Sequence, residues 1–185
     1  MALKATICKA ELSIADMDRG YYADHALTLA RHPSETDERM MVRLLAFALH
    51  AHERLAFGKG LSTEDEPDLW QKDYGGEVEL WIDVGLPDPK WLRKASTQAR
   101  RVVVISYGGK GADLWWSQNG ADLQRFDNLA VMALVPDESR GLADLAARNM
   151  RLQCNIQERQ VWLGDGKRSL SIEPRWLKAA GEETA

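Results

Sequence analysis

From Leu3 to Ile14 the chain alternates apolar and polar positions, "LKATICKAELSI", the period-two signature of a strand with one buried face. "ADMDRG" supplies a turn, and "YYADHALTLARH" (21–32) returns as a second strand pairing with the first. The period then changes. In "HPSETDERMMVRLLAFALHAHERLAFGKG" (32–60), Met41, Leu44, Leu45, Ala48, Leu49 and Leu55 form a helical stripe, so one long amphipathic helix is predicted. Ser34 is its expected N-cap, with Asp37 three residues on. Glu35, Asp37 and Glu38 lie in the first turn, where the helix dipole favours negative charge, and the glycines of "FGKG" end the helix.

"EPDLWQKDYGGEVELWIDVGLPD" (66–88) reads as a β-hairpin closed by the two-residue loop Gly75-Gly76. "DPKWLRKASTQARR" (88–101) is a helix entered through Asp88 with Pro89 at its first position. "VVVISYG" (102–108) is a continuous apolar strand, as in a sheet interior. "GADLWWSQNGADLQRF" (111–126) predicts a helix interrupted near Gly120, "NLAVMALV" (128–135) another buried strand, and "DESRGLADLAARN" (137–149) a helix. "MRLQCNIQERQVWL", the turn "GDGK" and "RSLSIEPRWL" (150–177) form a closing hairpin. The predicted order is ββ, α, ββ, α, β, α, β, α, ββ. It implies an α/β or α+β domain, a mixed sheet flanked by helices, over residues 1–180, with a disordered tail at 181–185.

Composition narrows this picture. A hydrophobic share of 45% and seven Trp in 185 residues supply the core of one domain. The formal net charge of −4 excludes a global attraction to nucleic acid, so a nucleic-acid ligand would need a local basic patch. Cys8 and Cys154 have no metal-binding spacing. Free thiols in a reducing compartment are expected, with a single disulfide as the alternative. The N-terminal stretch lacks an apolar signal core, and no apolar run reaches the ~18 residues of a membrane span; the expectation is a cytoplasmic protein.

The chemistry concentrates in the 66–88 hairpin. With Gly75-Gly76 as the loop, Lys72 faces Glu79, Trp70 faces Trp81 and Asp68 faces Asp83, all on one face of the sheet. Directly opposed Cβ atoms lie about 4.5–5.5 Å apart. Two carboxylates at that distance repel unless a cation sits between them, and Mg²⁺ is commonly held by one or two carboxylates plus water and phosphate. Asp68 and Asp83 are therefore candidate metal ligands, and Glu79 a further ligand or water-orienting group. The alternative is a solvated acidic hairpin.

Pro67-Asp68, followed by a gap, an acidic strand and a helix, resembles the PD-(D/E)xK nuclease superfamily. The segments "MALKATI", "LTLARHPSET-ERMM-RLLA", "DEPD-W", "LWI", "GLPD", "TQA" and "WW-QN" resemble, along the whole chain, the YaeQ family of small proteins from Gram-negative bacteria. That resemblance implies a restriction-endonuclease-like core with extra terminal hairpins and a Mg²⁺ or Mn²⁺ site. The superfamily pattern wants Lys two residues after its second acid. Here Gly85 follows Asp83 and Trp81 follows Glu79 at that spacing. Lys90, Lys94 and Gln98 share one face of the next helix, which makes Lys94 the candidate relocated lysine and Gln98 a companion. Glu38, with Glu35 as alternate, is the candidate acid from the first long helix; a Glu35–Arg39 pair at i, i+4 is the structural alternative.

Lys90, Arg93, Lys94, Arg100 and Arg101 crowd helix 88–101 and offer the local patch that DNA or RNA would require. His25, His32, His50 and His52 read as caps and surface residues, and "GGKG" and "GDGK" as turns. Trp115-Trp116 reads as core anchoring by one indole and surface packing by the other rather than a base-stacking platform. Two functional expectations follow: metal-dependent phosphodiester hydrolysis, or a catalytically silent relative that binds nucleic acid or a protein through the same face.

Overall fold

The computed structural model describes residues 4–60 and 65–181. The opening alternation becomes β1 (Thr6–Asp16), which buries Cys8, Ala10, Leu12 and Ile14 and pairs antiparallel with β2 (Tyr21–Arg31). Next comes α1 (Asp37–Leu49), buried at every position from Met40 to Ala48. Its cap is Thr36 rather than Ser34: the Thr36 hydroxyl accepts the Arg39 backbone N–H at 3.1 Å, while Ser34 Oγ bonds the His32 ring at 2.7 Å. Glu35 thus precedes the helix instead of sitting in its first turn.

The helix also ends sooner than its apolar stripe implies. His50 caps it, and "LAF" becomes β3 (Leu55–Phe57). Three residues carry no period of their own, so pairing with β4 (Leu69–Lys72), not local pattern, set their state.

The remaining elements are β5 (Val78–Val84), α2 (Pro89–Gln98), β6 (Ala99–Ser106), α3 (Lys110–Leu123), β7 (Leu129–Ala133), α4 (Pro136–Ala143), β8 (Asn149–Gln157), β9 (Gln160–Gly164), β10 (Ser169–Ile172) and β11 (Arg175–Lys178). They build two sheets where the sequence pattern implied one, in the orders β10-β9-β8-β1-β2 and β11-β7-β6-β5-β4-β3. The first joins the two chain ends by parallel pairing of β1 with β8. The predicted closing hairpin is a three-strand meander, after which β11 crosses to the other sheet and pairs with β7.

Both sheets bury one face on a core that contains α1 and Leu142 of α4. The far face of the six-stranded sheet is covered by α2 and α3 through Trp81, Leu92, Ala95, Val102, Val104 and Trp115. Leu92 and Ala95 fall on one side of α2, and Asp88 caps it by accepting the Lys90 N–H. α3 runs unbroken through Gly120, because the Trp116 ring lies 2.9 Å from where a Cβ would stand. Glycine there makes room for an indole; it does not break the helix.

Cys8 and Cys154 are both free and buried, and burial pushes the Cys154 thiol up to about 12. Among the described residues no helix is long and apolar enough to cross a membrane. Of the predicted tail, residues 182–185 lie outside the described residues.

Candidate functional site

β5 lies inside the six-stranded sheet, antiparallel to β4 and parallel to β6. Trp70 faces Trp81 and Leu69 faces Ile82, as the sequence register requires. Nearer the turn that register fails. A bulge between Gln71 and Lys72 places Lys72 opposite Val78 instead of Glu79. The turn is wider than two residues, because Asp73 Oδ1 accepts the N–H groups of Gly75 and Glu77, both at 2.9 Å.

At the other end the hairpin brings its two aspartates together. Asp68, one residue before β4, accepts the Val84 N–H on Oδ2 at 2.8 Å. Asp83 Oδ2 accepts both the Trp81 and Trp91 indole N–H groups, at 2.8 and 2.7 Å. Both aspartates are buried, at 7% and 5% exposure. They border a cleft of about 660 Å³ with Arg39, Glu66, Tyr107, Asp88, Trp91 and the loop residues Gly85 to Pro87. The cleft sits at the carboxyl ends of parallel β5 and β6, where open sheets with helical cover place ligands.

A line of buried charge runs from α1 into this cleft. Arg43 Nε and Nη2 grip the two oxygens of Glu35, each at 2.8 Å. Arg39 Nη1 donates to Glu35 Oε1 at 2.9 Å and Arg39 Nη2 to Asp68 Oδ1 at 2.7 Å. Beyond Asp68 comes Asp83, whose pKa rises from 3.8 to about 7 through burial first and the Asp68 charge second. The indole hydrogen bonds offset part of that rise. Fully ionised, the line holds three carboxylates against two guanidiniums. One negative charge is in excess in a desolvated place, so a proton on Asp83 or an added cation restores balance.

The other predicted site residues scatter. Glu79, four residues from Asp83 along β5, is roughly 13 Å away at strand spacing. It bonds Gln71 at 2.8 Å and Arg54 at 2.9 Å, and the Gln71 hydrogen bond leads the causes that hold its carboxyl below the usual range. Lys94 Nζ bonds exposed Asp65 at 3.1 Å and lies 5.2 Å over the Trp91 ring, one residue removed from the cleft lining. Gln98 ends α2 and is exposed. Arg100 is engaged by Glu77 and Asp73 of the hairpin turn, at 2.7 and 3.3 Å. Glu38 is half-buried near Tyr107, whose phenol it helps to raise. Glu35 is the alternate that reaches the site's charge line, through Arg39.

Arg39, Trp91 and Tyr107 were not among the predicted site residues. Glu35, Arg39 and Arg43 do leave a trace in sequence, a charged stripe at i, i+4, i+8 beside an apolar one. Tyr107, directly after an apolar strand, stands where a parallel strand would present a ligand-facing group.

Among the described residues no group of three His, Cys, Asp or Glu is placed to hold a metal ion. The donor set in the cleft is two carboxylates that keep free lone pairs, which suits a cation completed by water and ligand oxygens. A second concavity of about 670 Å³ lies over the five-stranded sheet, where Arg151 and Glu11 pair in solvent. It brings no buried ionisable side chain into its lining.

Fold and cleft thus define a class: a two-sheet α+β protein with a buried aspartate pair at the carboxyl end of a central parallel strand. Comparison with known proteins makes this specific, since the family model described as YaeQ protein matches residues 1–174. The chain belongs to the YaeQ family. YaeQ of Salmonella typhi, a protein described as uncharacterised, is 47% identical over 173 residues, covering 94% of this chain and 96% of that one. YaeQ of Escherichia coli K12 is 46% identical over 172 residues, covering 93% and 95%. The crystal structure of YaeQ from Xanthomonas axonopodis pv. citri superposes with a TM-score of 0.92 at 50% identity, covering 95% of this chain and 99% of that one. YaeQ from Pseudomonas syringae gives 0.90 at 37% identity, covering 95% and 97%.

Proposed function

We propose that the cleft is a divalent-cation-dependent site for a nucleic-acid phosphodiester, with Asp68 and Asp83 as the cation's protein ligands. One observation carries this reading: the buried charge line ends in an aspartate pair with one uncompensated negative charge, beside an open cleft. A divalent cation would relieve the desolvation and repulsion that hold Asp83 up to about 7. The aspartates stand on the two arms of one hairpin, in keeping with the resemblance to the PD-(D/E)xK nucleases. Mg²⁺ or Mn²⁺, when bound, would supply Lewis acidity and an activated water.

The chain's own residues hold this arrangement in place. Trp81 and Trp91 fix the Asp83 carboxyl from the floor, and the Val84 N–H and Arg39 fix Asp68. Glu38, outside the cleft lining, acts on the site through its charge near Tyr107. Lys90, Arg93 and Lys94 on α2 form the cationic flank toward which a nucleic-acid backbone would run. The lysine of the nuclease pattern is absent for a backbone reason: Gly85 has φ +97°, a conformation strained for any L side chain.

A second reading has its own support. Arg39 already compensates Asp68, and a proton on Asp83 balances the line without metal, which would suit a catalytically silent binding module. The two readings separate in one experiment. Labelled single- and double-stranded DNA and RNA are incubated with Mg²⁺ or Mn²⁺ and either wild type or identically purified Asp83→Asn. Cation-dependent cleavage lost in the variant supports the phosphodiesterase. Cleavage unchanged by the variant refutes the site assignment, and no cleavage with no cation-dependent shift in Tm favours the silent module.

A further inference from the structure

Arg39 is held more tightly than a bridge to Asp68 requires. Its guanidinium is fixed on one side by Glu35, which Arg43 pins through both oxygens, and on the other by Asp68. Those bonds use two of its five N–H donors. The side chain is 18% exposed, and it borders the cleft. Tyr107 also borders the cleft, close enough to feel the Arg39 charge, and its hydroxyl makes no hydrogen bond to any described residue. Burial pushes the Tyr107 phenol up to about 12, so it remains a donor through the neutral range.

The cleft lining thus combines carboxylates with hydrogen-bond donors. Asp68, Asp83, Glu66 and Asp88 supply the carboxylates, and the donors are an oriented guanidinium and a phenol with no hydrogen bond among the described residues. Donors held in place before the ligand arrives lose little entropy on binding, and a planar guanidinium matches the geometry of phosphate oxygens. Lys94 has neither property, since it ion-pairs with Asp65 outside the cleft lining.

We propose that Arg39 and Tyr107 form the phosphate-binding half of this cleft, both donating to the non-bridging oxygens of one phosphate group. The inference rests on the phosphodiester reading only for the kind of molecule that carries the phosphate. On this account the cation missing at Gly85 is supplied by α1, not by α2.

The test uses the full chain as wild type, Arg39→Lys, Arg39→Gln and Tyr107→Phe. Two probes are titrated, inorganic phosphate without metal and fluorescein-labelled oligothymidylate with Mn²⁺, and the Mn²⁺-dependent shift in Tm is followed in parallel. Arg39→Gln is expected to weaken both probes about tenfold or more, and Tyr107→Phe about three- to tenfold. Arg39→Lys falls between, having lost the fork geometry. The Mn²⁺ shift persists in all three variants, and grows in Arg39→Gln because Asp68 is released. Tyr107→Phe removes no hydrogen bond among the described residues, so it stays folded even if Arg39→Gln does not.

Unchanged affinity for both probes in Tyr107→Phe and Arg39→Lys overturns the proposal and leaves Arg39 as a holder of Asp68. Wild type that binds neither probe overturns it too. Phosphate binding that depends on these residues, without any Mn²⁺ shift in wild type, upholds the subsite and sinks the cation reading instead.

Discussion

Replacing Asp83 by Asn should stabilise the protein at alkaline pH, although the residue lies in the candidate site. Burial and the Asp68 charge raise the folded-state pKa from 3.8 to about 7. The unfolded chain titrates at the ordinary value, so between those pH values unfolding releases a proton that the folded protein still holds. The stabilising contribution of the protonated carboxyl is full below about pH 3.8 and is lost as pH rises through about 7. At about 1.4 kcal/mol per pH unit the loss across that window is on the order of 4 kcal/mol, against a total stability of roughly 5–15 kcal/mol. An amide oxygen still accepts from Trp81 and Trp91 and does not ionise, though the Asp68 backbone N–H, which also relieves Asp83, loses about 1 kcal/mol of partner. Urea unfolding of both proteins at intervals from pH 4.5 to 8.5 reads the effect. The variant should gain on wild type by roughly 2–4 kcal/mol across that range, and Mn²⁺ should restore wild type at pH 8.5 while leaving the variant unmoved. A difference that stays flat with pH, or shrinks as pH rises, would refute the claim that Asp83 is a desolvated carboxyl beside a like charge.

Three further outcomes follow from the same geometry. Glu35→Gln leaves two guanidiniums sharing one neutral partner, and denaturant melts should show about 3–5 kcal/mol lost, as for a broken buried ion pair. Gly58→Ala puts a Cβ 2.0 Å from the Pro67 carbonyl oxygen, immediately before Asp68; the expected cost is about 1–3 kcal/mol, together with a smaller Mn²⁺-dependent Tm shift because Asp68 moves. Lys94→Ala breaks only an exposed pair, so stability should change by less than about 1 kcal/mol, with the Mn²⁺ shift intact; a large loss would return Lys94 to the site.

Much of this protein was legible in local pattern. Alternation fixed β1 and β2 and their inner face, Asp88-Pro89 fixed the start of α2, and the register through Trp70 and Trp81 placed Asp68 beside Asp83. These features follow from near neighbours: side-chain period, capping chemistry, and pairing across one hairpin. The failures share the opposite property. A single bulge at Gln71/Lys72 undid the Lys72–Glu79 pairing, and Glu79 lies too far along β5 to join Asp83, since strand rise separates residues four apart however acidic both are. The division into two sheets rests on β1 pairing with β8 across more than half the chain, which no short window contains.

The sequence by itself determined the family, the mixed α and β content and the aspartate pair, because each is written in residues close along the chain or matched over residues 1–174. Only the tertiary structure decided which cations reach that pair. Arg39 and Lys94 are both basic residues on amphipathic helices, and nothing local distinguishes them. Packing of α1 between two sheets largely enclosed the first, between the buried carboxylates of Glu35 and Asp68, and left the second more exposed, paired with solvent-exposed Asp65. Burial makes the difference, since a charge held in a desolvated line interacts strongly with its neighbours, whereas one in water is screened.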